Sequence, residues 1–381
     1  MKALKPTAML AAVSLVAGAT YLVAQQGPKP DSSETVAKPK KKDASGKDVP
    51  NDADLPKIPS KFSTKDKALP EGLPTFKSDV NTVQVDVSVL DNKGRFIPKI
   101  PRGNFRILED GVPQPISGFS IGNDAPMTVA MVVEFSNLFQ QYWTEGWYQT
   151  LVAAYGFVET LKKEDYVAVI AFDMRPEILS DFTTDRMKTQ EALQRLRIAA
   201  FSESNLFDAL VDTEDRMKDI EGRKAIVLLA SGRDTFSKLT FDKARRAIQE
   251  CAVPIYAISL LQAMRERADA YGAMGPIARL DFLQADNEMK TFAKDTGGQA
   301  FFPRFYGEFP SIYRAIQDAL RNQYSIAYHP TNAAHDGKFR KIKVELVDPQ
   351  TNEPLRVIEN GKPIKYQIIA KAGYTAPREV E

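Results

Sequence analysis

The chain has 381 residues, 43% hydrophobic and 26% charged, which excludes wholesale disorder and leaves room for two or three domains. Its single cysteine excludes an intramolecular disulfide framework, a zinc ribbon and a CxxC redox pair. Fifty-one basic against forty-nine acidic residues give a net charge of +2, which argues against nucleic acid as a partner, and two histidines leave little for a histidine metal site.

Lys2 and Lys5 precede an uncharged apolar run over 7–24. That pattern predicts a signal peptide or an uncleaved membrane anchor over 1–24, with small residues at Ala19 and Ala24 suited to cleavage. The expectation is an exported protein, periplasmic, envelope-bound or secreted, that meets the membrane only through this segment. Residues 25–78 are rich in Pro, Lys, Asp and Ser and predict a disordered linker. Its basic run Lys38–Lys42 is nearly neutralised by Asp31, Glu34, Asp43 and Asp48.

From Asn81 the period becomes two. Val83, Val85, Val87 and Val89 alternate with polar residues as in a half-buried strand. Strands over Asn104–Leu108 and Gln114–Ser120 flank a Glu109-Asp110-Gly111 turn, completing an N-terminal β module over 79–126. Over 127–322 the grammar is α/β. Continuous apolar runs at Thr128–Phe135, Asp165–Phe172, Lys224–Ala230 and Pro254–Leu260 predict strands buried on both faces. Between and after them, helices are expected at Trp143–Leu161, Ser204–Met217, Phe241–Glu250, Asp286–Thr296 and Ser311–Asn322, with a short strand at Gln299–Phe302. Gln262–Leu283 reads as a long mixed connection leaving the carboxyl end of the Pro254–Leu260 strand, either a lid or partner-contacting loop over the same face or a plain surface insertion. After Gln323 the chain returns to β, at Tyr324–Tyr328, Lys338–Val347, Leu355–Ile358 and Lys365–Ala370. The predicted fold class is α/β, a doubly wound, mostly parallel sheet. A β-sandwich-like module, formed from the flanking strands before 127 and over 323–377, accompanies it.

In a doubly wound sheet, ligands bind outside the carboxyl ends of the strands. Here those ends hold Glu134, Ser136, Asn137 and Leu138, then Ser204 and Asn205, then Ser231 and Asp234. Four blocks in this order resemble the von Willebrand factor A domain, and more closely the VWFA-related domain family of Acidobacteria. They are Phe105–Gln114, Met127–Ser136, Ala225–Thr235 and Ala370–Pro377. The resemblance implies a Rossmann-like α/β fold and a metal-ion-dependent adhesion site of pattern Asp-x-Ser-x-Ser, with a Thr and a second Asp on later loops. The sequence departs from that pattern. Glu134 stands for the first Asp, Leu138 for the second Ser, Ser204 for the Thr and Ser231 for the second Asp. Mg²⁺ or Mn²⁺ needs hard oxygen ligands in tight geometry, so the site is degenerate and no metal cofactor is expected. Glu134, Ser136 and Ser204, with Asp234, are the weak candidates for a rebuilt site. Otherwise Glu134 is a carboxylate hydrogen-bonded to Ser136, Ser204 or loop amides.

Trp143, Trp147 and Leu151 share one helical face and suit the core, whereas Leu138, Phe139 and Tyr142 precede that stripe and suit the ligand side. No P-loop, dinucleotide fingerprint, G-x-S-x-G elbow or H-E-x-x-H occurs. His329 and His335 read as surface or turn residues, Glu109-Asp110 as turn chemistry, and Cys251 as a buried small hydrophobe. The expected function is a non-enzymatic interaction protein with a protein partner in the cell envelope. Its contact face would comprise Glu134, Ser136, Asn137, Leu138, Phe139, Tyr142, Ser204, Asn205, Ser231 and Asp234. A metal-dependent adhesion domain with altered ligands is the alternative, and an envelope hydrolase a more distant one.

Overall fold

A computed structural model describes residues 82–378 except 93, 123–124, 137–143, 197–202, 261, 273–274 and 360. The expected leader and linker, and the site positions Asn137, Leu138, Phe139 and Tyr142, lie outside the described residues. The chain begins with β1 (Val83–Asp91), β2 (Phe105–Glu109), β3 (Val112–Gln114) and β4 (Ile116–Ile121). An alternating stretch follows: β5 (Met127–Glu134), α1 (Thr144–Thr160), β6 (Tyr166–Phe172), β7 (Pro176–Thr183), α2 (Arg186–Arg195), α3 (Leu206–Met217) and β8 (Arg223–Ala230). It continues through α4 (Phe241–Cys251), β9 (Ile255–Ser259), α5 (Gln262–Ala270), α6 (Pro276–Thr296), β10 (Ala300–Phe301) and α7 (Phe309–Arg321). The last strands are β11 (Tyr324–Tyr328), β12 (Phe339–Leu346), β13 (Val357–Glu359), β14 (Lys362–Ile364), β15 (Tyr366–Ala370) and β16 (Gly373–Thr375).

The continuous apolar runs form a six-stranded sheet ordered β10-β9-β8-β5-β6-β7. Its strands are parallel except β7, which is antiparallel at one edge. All eight residues of β5 are buried, because helices cover both faces and successive side chains alternate between them. Val129, Met131 and Val133 meet α1, α2 and α7 through Phe157, Leu193 and Ile316. Ala130 and Val132 meet α3, α4 and α6 through Leu210, Ile248 and Phe292. The fold is therefore doubly wound α/β.

Two four-stranded antiparallel sheets, β15-β1-β11-β4 and β16-β12-β2-β3, each join strands that precede β5 to strands that follow α7. The alternating valines of β1 share one core with Phe105, Ile107, Tyr324, Ile342 and Val344. Phe96, Phe105 and Phe119 surround Tyr324 with ring centroids 5.2, 4.9 and 5.9 Å away, within the range of favourable aromatic pairs. Asp110 and Gly111 have φ of 48° and 86°, the two left-handed positions that a tight hairpin turn demands.

Glu109 is not part of that turn. It ends β2 and is buried. Its Oε2 accepts hydrogen bonds from the Tyr328 hydroxyl at 2.7 Å and the Tyr374 hydroxyl at 3.1 Å. Burial, reinforced by the carboxylate, pushes both phenols above their ordinary range. Tyr328→Phe is expected to cost about 2 kcal/mol and Tyr374→Phe, with the longer bond, about 1 kcal/mol, read as shifts in urea midpoint at constant slope.

Several segments differ from the sequence expectation, including β14 and β16, short strands where none is predicted. β7 and α2 appear where no element is predicted, because only Thr189, Ala192 and Leu193 of α2 are buried and so narrow a stripe gives little periodicity. The one local signal for α2 is its cap, where the Asp185 carboxylate accepts the Met187 N–H at 2.9 Å. Gln262–Leu283 is not an irregular lid. It forms α5 and the first turns of α6, which starts ten residues before the expected Asp286, with Pro276 in its first turn.

Candidate functional site

β5 and β8 are adjacent and parallel, so their carboxyl ends lie side by side. β6 flanks β5 on the other side, while β9 and β10 continue beyond β8. The strand order therefore reverses between β5 and β8, where such sheets open a crevice. Glu134 ends β5 there with no solvent exposure. Its Oε2 accepts both the backbone N–H and the hydroxyl of Ser231 at 2.7 Å, and its Oε1 accepts the Ser136 hydroxyl at 3.0 Å. Gly232, at φ +82°, turns the chain straight after Ser231, and a Cβ there would come within about 3.1 Å of Met289 and the Ala285 carbonyl. Burial raises the Glu134 carboxyl above its ordinary pKa, and the bonds from Ser231 and Ser136 only partly offset it.

Ser204 and Asn205 lead into α3. Asn205 occupies the cap position without a side-chain cap bond. The cap comes instead from the β8 loop, where Asp234 Oδ1 accepts the Phe207 N–H at 3.2 Å. A carboxylate at a helix N-terminus is favourable on charge as well as hydrogen bonding. Residues that the sequence reading does not single out complete the clamp. Thr235 Oγ1 accepts the Ser204 N–H at 2.8 Å, Ser237 donates to Asp234 at 2.5 Å, and Asp208 accepts the N–H groups of Lys238 and Leu239 at 3.0 and 3.1 Å. Their signal was the Ser/Thr/Asp density after β8, which suits local backbone bonding.

The structure thus joins Glu134, Ser136 and Ser231 directly, and Ser204, Asn205 and Asp234 around the adjacent helix start. It does not expose them. Glu134, Ser136, Ser204, Asn205 and Ser231 are 0–4% exposed, and only Asp234 is half-buried. In this arrangement they are an internal lock, because a desolvated carboxylate requires the donors around it. Ser204 does not serve Glu134. Its hydroxyl and the Asn205 side-chain Oδ1 are buried without a hydrogen-bond partner among the described residues.

That donor set does not fit a resident Mg²⁺ or Mn²⁺. Such an ion is usually held through one or two carboxylates with open positions that keep water. Glu134 is fully buried, and both its oxygens already accept hydrogen bonds from Ser231 and Ser136. The orphaned Ser204 and Asn205 oxygens add no charge. Among the described residues, no three His, Cys, Asp or Glu side chains gather as a metal site.

Different residues face solvent at this end of the sheet. Tyr271, Ile277, Leu280 and Leu283, from the α5–α6 hairpin that follows β9, are 55–82% exposed, and Phe305, after β10, is 70% exposed. The hairpin is braced from within. Arg265 donates to both carboxylate oxygens of Asp286 at 2.7 Å and lies 5.2 Å from the Phe282 ring centre. Arg304 pairs with Glu266 at 2.8 Å, tying the Phe305 segment to α5.

The other polar candidates sit elsewhere. His329 and His335 are exposed, and His329 Nδ1 is 3.3 Å from Thr82 Oγ1 on the sandwich. Cys251 is half-buried at the end of α4 rather than fully enclosed, and burial pushes its thiol up to about 11, so it is a poor nucleophile at neutral pH.

Residues 140–233 match the von Willebrand factor type A domain. The match runs from just before α1 to the turn after β8, so Glu134 and Ser136 precede it and Asp234 follows it. No curated protein matches the chain. Among solved structures, a von Willebrand factor type A protein from Catenulispora acidiphila is 12% identical with a TM-score of 0.39, covering 80% of this chain and 76% of that one. The von Willebrand domain of the type V pilus tip protein Mfa5 from Porphyromonas gingivalis is 14% identical with a TM-score of 0.38, covering 52% of this chain and 97% of that one. Proximal thread matrix protein 1 from the mussel byssus is 11% identical with a TM-score of 0.39 over 52% of this chain, and the likeness spans 49% of that protein's length.

Proposed function

We propose that this is an exported, non-enzymatic interaction protein that binds a protein partner in the cell envelope, with no Mg²⁺ or Mn²⁺ in the contact. The observation that carries the reading is the exposed apolar set of Ile277, Leu280 and Leu283 on α6 and Tyr271 just after α5, with exposed Phe305 on the segment that Arg304 ties to Glu266 of α5. Large apolar side chains held in water are unfavourable unless a partner covers them, and contiguous exposed patches mark interaction sites. The Arg265–Asp286 and Arg304–Glu266 braces hold the face rigid before binding, which lowers the ordering cost of association. Export rests on the 7–24 run. Among the described residues, no helix is long and apolar enough to cross a membrane. Independence from metal rests on the committed, desolvated Glu134. The four sequence blocks further assign the chain to the VWFA-related group of Acidobacteria.

A photo-crosslinking residue at Leu280, introduced in intact cells, tests this. The expected result is a discrete protein adduct that survives EDTA, is lost with Ile277→Glu, and does not form from a probe at Val112, which is 53% exposed on the sandwich. An adduct abolished by EDTA and restored by Mg²⁺ would establish metal-dependent adhesion instead. No adduct at Leu280 would remove the face as a binding site.

A further inference from the structure

A second surface lies at the opposite end of α6, where that helix meets the sandwich. Lys294 is fourteen residues beyond Leu280, or about 21 Å along the helix axis. Here two strand edges are open. β15 pairs with β1 on one side and with no strand on the other among the described residues. β12 pairs with β16 over Phe339–Lys341, its Ile342 N–H reaches the Ala372 carbonyl and its Leu346 carbonyl accepts the Leu355 N–H, so among the described residues that edge is open only at Lys343–Glu345. Between these edges lies a cleft of about 490 Å³. Its apolar lining includes Ile342, Val344 and Ile368.

The polar lining is one-sided in charge. Arg245, Lys294, Lys341, Lys343 and Lys371 face the cleft, with Asp295 as the single acid among its lining residues. Asp295 is already committed, accepting from Arg245 at 2.6 Å and Gln249 at 2.8 Å. Lys343 pairs with Glu345 at 2.8 Å. Lys294, Lys341 and Lys371 have no ion pair with any described residue. Lys371 is half-buried, and burial lowers its pKa, so an arriving anion would offset a desolvation cost the fold already bears.

We propose that this cleft docks an extended acidic segment of a partner protein, which adds as a strand along the free edge of β15. Main-chain hydrogen bonds to an open edge supply affinity, and alternate side chains supply specificity. A segment alternating apolar and acidic residues meets both requirements, with apolar side chains against the half-buried Ile368, behind which Ile342 and Val344 belong to the sandwich core, and carboxylates on Lys294, Lys341 and Lys371. The site is separate from the α5–α6 face and does not depend on it.

The test is fluorescence anisotropy of the full chain with a labelled Glu-Val alternating decapeptide. Saturable binding is expected, weakened at least about tenfold by the Lys294→Glu/Lys341→Glu double substitution and by N-methylation of alternate peptide amides. A Lys-Val decapeptide should not bind. Both substituted lysines are on the surface, so the variant should keep its melting temperature, and Leu280→Glu should bind the peptide as the parent does. Absence of saturable binding, or binding indifferent to charge reversal or to N-methylation, would overturn the proposal. Binding of dextran sulfate without binding of the Glu-Val peptide would also overturn it, in favour of a non-peptide polyanion.

Discussion

Glu134→Ala is expected to destabilise the protein by about 3 kcal/mol, and Glu134→Gln by less than about 1 kcal/mol. The alanine leaves the Ser231 N–H and the hydroxyls of Ser231 and Ser136 without their acceptor in a site sealed from water. It also opens a cavity. The glutamine keeps a carbonyl oxygen for Ser231 and turns its NH₂ to the Ser136 oxygen, which accepts as readily as it donates. The two variants also separate in their pH dependence. Burial raises the folded-state pKa of Glu134 above its ordinary 4.5. Below the unfolded value both states hold the proton, and the group exacts no penalty. As pH rises from there through the folded value, the unfolded chain releases its proton first and stability falls, so the penalty is complete above the folded pKa. The stability difference between Glu134→Gln and the parent should therefore shift in favour of the variant as pH rises from about 4 to about 8, measured by urea denaturation. A difference that stays flat across that window would mean Glu134 is ionised in the fold, and independence from metal would lose its physical basis.

The parts of the fold legible in the sequence are those set by local period. The valines of β1 alternate because one face of a sandwich strand is core, and β5, β6, β8 and β9 are unbroken apolar runs because helices cover both faces. The Glu134 lock was legible only as a set of possible partners. The Ser136 bond lies two residues away, whereas the two Ser231 bonds depend on β5 and β8 being neighbours across 97 residues, which no spacing encodes. Burial of Ser204 and Asn205 was equally hidden, since both read as the start of a helix on the contact face until the Asp234–Leu239 loop is placed over them. Gln262–Leu283 was legible as a possible partner contact, but its helices were missed for a different reason. Ile277, Leu280 and Leu283 have helical spacing but point into solvent, so the usual inference from apolar periodicity to buried helix finds no core to face. An apolar stripe that fails that inference is the same observation that marks it as a contact surface.

Asp165→Ala is expected to be among the most damaging single substitutions in the chain, costing about 4 kcal/mol. The side chain has no solvent exposure. Its Oδ1 accepts the Met127 N–H at 3.0 Å, at the start of β5, and its Oδ2 accepts the Lys162 N–H at 2.7 Å and Arg321 Nη2 at 2.5 Å. Arg321 closes α7 just before the chain enters β11, so this one carboxylate ties the entry to the central sheet to the exit toward the sandwich. The arginine side chain is itself largely buried, and among the described residues its Nε and Nη1 have no hydrogen-bond partner. Losing Asp165 therefore strands a desolvated positive charge, which is where most of the expected loss arises. Arg321→Met alone should cost less, since the remaining carboxylate keeps two backbone donors. The double variant Asp165→Ala/Arg321→Met should be more stable than Asp165→Ala, because it removes the stranded charge and fills the site with apolar volume. Urea denaturation of the four proteins measures the coupling. A double variant equal to the sum of the two singles would show that the pair acts independently, and the tie between the two modules would then have to rest on packing around α7 and β11 rather than on this ion pair.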